Sequence, residues 1–293
     1  MQSIIQIFFS NLYLVAAMAL TTMGIALTFK TARSVNFAQA ITATAGVYTA
    51  AAVVAKTGAS PWIALFIGIG VCFLIGLFFD AVIIRHTSST AVGRIMVTLG
   101  LIIIVTALIP IVFGMIPYEY FRYFTGNVDF TLFGMAFTVT KNSLFSISVA
   151  AVVIGGIFSA LYFTKWGLGI RATASNKNVA AMMGINTHRM TALSWAISSA
   201  CGGLGAILYA SQTSIVDVGM LGSVQISSLL SFVLGGDLTF YGPVIGSVII
   251  PIIRSGAALI SGVWSPVILY VIILLVILVR PQGLFGKSAR KKV

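Results

Sequence analysis

The 293-residue sequence is 59% hydrophobic, only 8% charged, and carries a net charge of +12. An ordinary soluble domain is about 25% charged, so this chain has too few charges to cover a water-soluble globule and reads as an integral membrane protein. The basic excess excludes a nucleic-acid binder: no Lys/Arg cluster is interleaved with exposed aromatics, and no finger or RNP-like pattern occurs.

The opening "MQSIIQIFFSNLYLVAAMAL" has no basic leader and no clear cleavage site, so its apolar run is expected to stay as a span, best placed at 12–29. The next stretch, 32–56, is apolar overall but carries Asn36, Gln39, Thr42 and Thr44 in its first part. Uncharged runs follow at 62–79, 97–116 (interrupted by Pro110), 144–163 and 191–210. At about 1.5 Å per residue, each is long enough to cross a ~30 Å hydrocarbon core. The connection 117–143 is rich in Tyr and Phe and reads either as an interfacial aromatic belt or as a lip over an external mouth.

Residues 221–234 form a short segment bearing Ser223, Gln225, Ser227 and Ser228; "GGDLTFYGPVIG" and an apolar run cut by Arg254 come next. A final span at 264–279 ends on Arg280. Short, polar or Gly/Pro-broken segments are where transporters line cavities with irregular backbone. The expected fold is therefore all-α: one polytopic transmembrane domain over 1–293 with eight to nine hydrophobic segments, some broken or re-entrant.

Charge placement sets the orientation. Lys30, Arg33, Arg85, Arg94, Lys165, Arg171, Lys177, Arg189, Arg280, Lys287, Arg290, Lys291 and Lys292 fall in one set of alternating connections, against Lys56, Arg122 and Lys141 in the other. This bias puts the loop at 165–190 and the C-terminus in the cytoplasm. Nine segments place the N-terminus outside; a dip and return at 32–56 or 221–234 would lower the number and flip that side.

Within the loop, "ASNKNVAAMMGIN" has the parts of a short helix: Ser175 or Asn176 as cap, Ala and Met inside, Gly184 as a left-handed exit. Val179, Met182 and Met183 share one broad face, with Lys177 and Asn178 elsewhere on the turn. Two readings stand: a helix lying flat on its own spans against lipid headgroups, or a docking knob for a cytoplasmic subunit, its flexible Met side chains filling an external groove.

Catalytic chemistry is not expected. There is no Gly-x-x-x-x-Gly-Lys-Ser/Thr loop for nucleotide phosphates. Cys72 and Cys201 lie in apolar runs and read as small buried hydrophobes. His86 and His188 stand alone, so no metal site is expected and no cofactor is assigned to this chain. Asp237 reads as an intramembrane relay, which would argue for ion coupling, or as a turn residue. The polar residues at 34–44 line a solute pathway or act as hydrogen-bonding glue between helices.

In order along the chain, "SVNFAQAITATAGVY" (34–48), "TLG" (98–100), Arg171-Ala172 with the helix through "MGIN" (183–186), "VLGGDLTFYGPVIG" (233–246) and "VRPQGLFG" (279–286) resemble the motifs of the branched-chain amino-acid ABC-transporter permeases of the LivH/LivM type. Gln39-Ala40 stands where that family usually has His-Gly after Asn-Phe-Ala, and Gly-Pro where it often has Pro-Gly. The resemblance implies a permease subunit of an ATP-driven importer in the bacterial inner membrane, itself binding no nucleotide. A second related permease would complete the pathway; two ATP-binding cassette subunits, holding ATP and Mg, would dock on the cytoplasmic face; an extracytoplasmic solute-binding protein would deliver the substrate.

Gly169, Arg171, Ala172, Asn178, Ala181, Met182, Met183 and Gly184 would then couple to the ATPase. Asn36, Phe37, Gln39, Thr42, Thr98, Gly235 and Gly236 would flank the substrate. The family implies leucine, isoleucine or valine, with urea, short amides and other amino acids carried by related permeases. An ion-coupled secondary transporter and a structural membrane subunit are the competing classes.

Overall fold

Uncharged runs of Ala, Leu, Ile, Val and Phe can satisfy their backbone in a bilayer only by folding on themselves, and the computed structural model is helical through nearly all of them. It describes residues 2–87, 90–132, 134–237, 239–280 and 282–286. The tail residues Lys287, Arg290, Lys291 and Lys292, and Leu238 and Pro281 within the motifs quoted above, lie outside this set.

The helices are α1 (Gln2–Ser10), α2 (Leu12–Ala32), α3 (Gln39–Thr57), α4 (Pro61–Phe78), α5 (Ala91–Phe113), α6 (Lys141–Phe163), α7 (Lys165–Ser175), α8 (Lys177–Met182), α9 (Thr187–Thr213), α10 (Gly222–Gly235), α11 (Tyr241–Ile260) and α12 (Ser265–Val279). Six of them, α2, α4 with its continuation to His86, α5, α6, α9 and α11, are long and apolar enough to cross a membrane. With α3, α10 and α12 they make up the nine hydrophobic segments of the sequence.

The core is built on α2 and α9, whose apolar windows are 89% and 83% buried, against 17% for α5. Small residues let these helices meet closely. A Cβ on Gly205 of α9 would stand 2.9 Å from the Ala17 carbonyl of α2, and one on Gly203 would meet the Cys72 sulfur of α4 at 2.4 Å. Both cysteines are buried and free, as their apolar setting predicts.

The segment 32–56 is a broken span. Arg33 takes a left-handed conformation (φ 53°) that ends α2. The chain then climbs back without helix, and α3 opens at Gln39, whose amide donates to the carbonyl of Thr21 near the midpoint of α2. Six non-helical residues, 33–38, make this break as a run of bends and turns.

The basic connections gather at one end. Lys30 Nζ donates to the Asp237 carbonyl (2.7 Å), Arg33 to the Ala174 carbonyl, and Arg85, Arg94, Lys177 and His188 line one small cleft beside Asp80. Asp80 is 3% exposed and sits on a π-helical turn (Phe79–Ile83) that continues α4.

The opposite end holds the strands, which the sequence reading did not anticipate. β1 (Tyr118–Glu119) pairs antiparallel with β4 (Ile215–Val216), and β2 (Asn127–Leu132) with β3 (Met135–Thr140) in the register Asp129↔Thr138. The aromatic connection is thus a hairpin clamped on α1. Gln6 exchanges two hydrogen bonds with the Thr138 backbone (2.9 and 3.1 Å), and Phe9 meets Phe130 and Phe137 edge-on.

Candidate functional site

Two clefts adjoin along α10, one of them walled also by α3 and α5 and the other by the end of α2. One, of about 620 Å³, is walled by Phe37, Ile41, Ile102 and Leu229, with Thr44, Thr106 and Gln225 as its polar lining. The other, of about 480 Å³, runs past Phe29, Val35 and Phe232 to Gly236, Asp237 and Gln282. Phe37 and Leu229 line both, so the two adjoin there as one track. The track passes from Val218–Gly219 at the strand end to Asp237 at the basic end. Its volumes fall within the range of small-molecule sites.

The non-helical lead-in places the polar groups. The Asn36 side-chain carbonyl accepts from the Ala38 amide (3.0 Å), and the Asn36 backbone carbonyl accepts from Gln225 Nε2 of α10 (3.4 Å). These bonds fix both side-chain amides, leaving Asn36 Nδ2 and Gln225 Oε1 buried with no hydrogen-bond partner among the described residues. One donor and one acceptor are therefore unpaired, on residues 0% and 7% exposed, and of the two only Gln225 lines the track. Buried polar atoms seldom stay unsatisfied unless something outside the chain meets them.

Gln39 is placed differently. Its amide donates to the carbonyls of Thr21 (3.0 Å) and Ser198 (3.4 Å) and accepts from Ser198 Oγ (3.2 Å), so it bridges α2, α3 and α9 rather than lining the track. Thr42 bonds back to the Gln39 carbonyl and Thr98 to that of Ile95; both are buried. Thr98 does share its helix face with Ile102 and Thr106, one and two turns on, which line the track.

Gly235 packs against the backbone of Gly242, while Gly236 (φ 86°) meets the tail at Gln282. The tail is locked there by a bond from Leu284 N to the Leu234 carbonyl (2.8 Å). Asp237 lies in the turn after α10, at the basic end and not at mid-span, which removes the relay reading.

The loop 165–190 holds two helices and the start of α9. The second, α8, is capped as its sequence predicts. Asn176 accepts from the amides of Asn178 and Val179 (3.0 and 3.2 Å), and Gly184 takes φ 80° at the exit. Ala180 faces inward, while Val179, Met182 and Met183 are 53%, 84% and 78% exposed; Asn178 and Ala181 are exposed too.

The first, α7, was not foreseen as a helix. Thr164 caps it by accepting from the Gly167 amide (3.1 Å). Gly169 is buried, with room for a Cβ only 2.8 Å from the Met190 sulfur, and Arg171 lies over the Tyr162 ring at 5.3 Å, with Ala172 beside it half-buried.

Sequence reasoning also missed Arg33 as a site residue. Its guanidinium reaches the Ala174 carbonyl at the end of α7, while its own backbone starts the lead-in to the track. Arg33 reads in sequence only as one more loop cation, and nothing local announces that contact.

Residues 7–278 match the model of the family described as "Branched-chain amino acid transport system / permease component". The chain is 29% identical over 301 residues to the probable branched-chain amino acid transport permease protein LivH of Methanocaldococcus jannaschii, covering 97% of this chain and 92% of that protein. It is 26% identical over 164 residues to the high-affinity branched-chain amino acid transport system permease protein LivH of Escherichia coli K12, covering 55% and 52%. A shorter stretch, 29% of this chain and 26% of the relative, is 30% identical to the nucleoside ABC transporter permease protein NupB of Lactococcus lactis. No solved structure shows significant similarity to the chain.

Proposed function

The chain belongs to the family of branched-chain amino acid transport permease components, and from that premise we propose that it forms half of the pathway of an ATP-driven importer for aliphatic amino acids. A second permease of the same family meets it on the open α3/α5/α10 face. Two ATP-binding subunits dock on the basic, cytoplasmic end, where α8 presents Met182 and Met183. A solute-binding protein delivers the amino acid to the strand end. The cytoplasmic membrane is its location, with the C-terminus inside.

The observation that carries the substrate class is an apolar cleft with a few polar groups, Thr44, Thr106 and Gln225, in its lining. An α-amino acid brings an ammonium group for Gln225 Oε1, a carboxylate for the Thr106 hydroxyl, and an aliphatic side chain for the wall of Phe37, Ile41 and Ile102. Meeting Gln225 Oε1 removes the desolvation cost it carries when unpaired, about 1–3 kcal/mol.

The test is uptake of labelled leucine, urea and acetamide by the reconstituted complex. Wild type is expected to favour leucine. Gln225→Leu and Thr106→Val, assembled normally, are expected to raise the half-saturating leucine concentration several-fold. Preference for urea or acetamide, or unchanged leucine uptake in both variants, would refute the assignment.

A further inference from the structure

One cation belongs to none of the basic connections. Arg254 lies inside α11, six residues or ~9 Å before the helix ends at Ile260. It borders a second cavity, of about 300 Å³, at the end of the molecule opposite the basic one. The cavity lies behind α10 as seen from the track: Ser223 faces it, whereas Gln225 and Ile226 face the track.

Arg254 is the sole charged residue among those lining the cavity, and no acid balances it there. Around it stand polar side chains from separate elements. Tyr13 of α2 and Tyr209 of α9 have ring centres 5.8 Å apart; Asn11 precedes α2 and Ser223 opens α10. Ser265 of α12 donates to the Arg254 carbonyl (3.2 Å) and holds the next helix against this point. A charge within a membrane span is costly unless it is paired or reaches the interface, so the cavity calls for an anion.

We propose that this cavity binds the phosphodiester of a phospholipid in the leaflet at the strand end, with Arg254 supplying the charge and Tyr13 and Tyr209 the hydroxyl donors. A guanidinium can grip phosphate oxygens through two parallel bonds, and one phosphodiester balances one arginine. The depth suits a headgroup, since Ile260, Val263 and Trp264 stand 77%, 86% and 62% exposed at the α11–α12 turn just beyond. Exposed Ile252 and Leu259 on α11 offer an apolar flank for acyl chains. The bound lipid would be a strut between α11–α12 and the central α2–α9 pair, supporting α10 from the side away from the track. This site stands apart from the track and does not depend on the substrate assigned to it.

The assembled transporter, purified in mild detergent and examined by native mass spectrometry, tests this directly. Wild type is expected to retain one more phospholipid per permease after washing than Arg254→Gln, and washing with inorganic phosphate or leucine is expected to leave that lipid in place. Equal retention in the variant overturns the proposal, and displacement of the lipid by phosphate or leucine assigns the cavity to a soluble oxyanion instead. Should Arg254→Gln fail to assemble, a phospholipid with a photoactivatable headgroup decides the matter on wild type. Crosslinks within 251–266, or at Asn11, Tyr13, Leu14, Tyr209 or Ser223, support the site, and labelling confined to other segments overturns it.

Discussion

Gln39 is the residue for which the structure allows the sharpest quantitative test, because its partners separate packing from transport. Its amide makes three hydrogen bonds to α2 and α9, and interhelical bonds in membranes contribute about 0.6 kcal/mol each on average. Removing the side chain also leaves a void, so Gln39→Ala is expected to destabilise by about 2–4 kcal/mol. Gly202 of α9 faces the same side chain. A Cβ there would stand 3.1 Å from Gln39 Cγ, 3.2 Å from Nε2 and 3.6 Å from Cδ, and these are its three nearest contacts.

Gly202→Ala alone is therefore expected to cost up to about 1 kcal/mol, the crowding being partly offset by the helix preference of Ala. In the Gln39→Ala background the same methyl enters the void and is expected to stabilise by about 1 kcal/mol. The pair should thus couple by about 1–2 kcal/mol, read from thermal unfolding of the purified permease across the four-member cycle. Additivity to within about 0.5 kcal/mol would refute the placement of Gln39 in this seam. Transport in the double variant then settles the remaining choice. Recovery of both stability and uptake makes Gln39 glue; recovery of stability with uptake still lost makes it part of the pathway.

Cysteines placed singly at 178 to 183 are expected to crosslink to the ATP-binding subunit, since α8 presents Val179, Met182 and Met183 outward. Arg171→Ala and Met182→Ala are expected to leave the complex assembled and hydrolysing ATP while uptake falls; no crosslink together with normal uptake would end the docking reading. A cysteine at Asp129 is expected to react with an impermeant thiol reagent added outside, and one at Lys177 to resist it. Cys72 and Cys201 are buried, so background labelling should be low, and outside labelling at 177 would reverse the orientation.

Where one physical signal dominated, the fold was legible in sequence. Uncharged runs of about twenty residues became helices, and the basic connections met at one end. The cap at Asn176 and the exit at Gly184 needed only local rules, and both were readable. The hairpin was missed although Val128 and Phe130, then Phe137 and Val139, alternate as a strand should; the Tyr/Phe content drew attention to an interface belt instead.

The candidate site was legible as a region and not as contacts. The polar character of 34–44 marks a place where lipid cannot be the neighbour, but Asn36 and Gln39 are the same kind of residue to a sequence. Only the path of the backbone, turning back from Arg33 to the level of Thr21, sets one amide on the Ala38 backbone beside Gln225 and the other into the α2–α9 seam. The partner of Asn36, Gln225, lies 189 residues away, beyond any local pattern.

That same turn offers a route by which motion at the basic end reaches the track. Arg33 is anchored twice: its guanidinium to the carbonyl of Ala174 where α7 ends, and its backbone amide to the Phe29 carbonyl at the close of α2. Immediately after it come the non-helical residues that carry Phe37 to the cleft. Such non-helical backbone bends more readily than helix because it lacks a ladder of internal bonds. A shift of α7 would therefore be absorbed in the lead-in rather than in α2, which is locked by close packing on α9. On the coupling reading, movement delivered to α8 and passed to α7 would reach Phe37, which lines both clefts, through this lead-in.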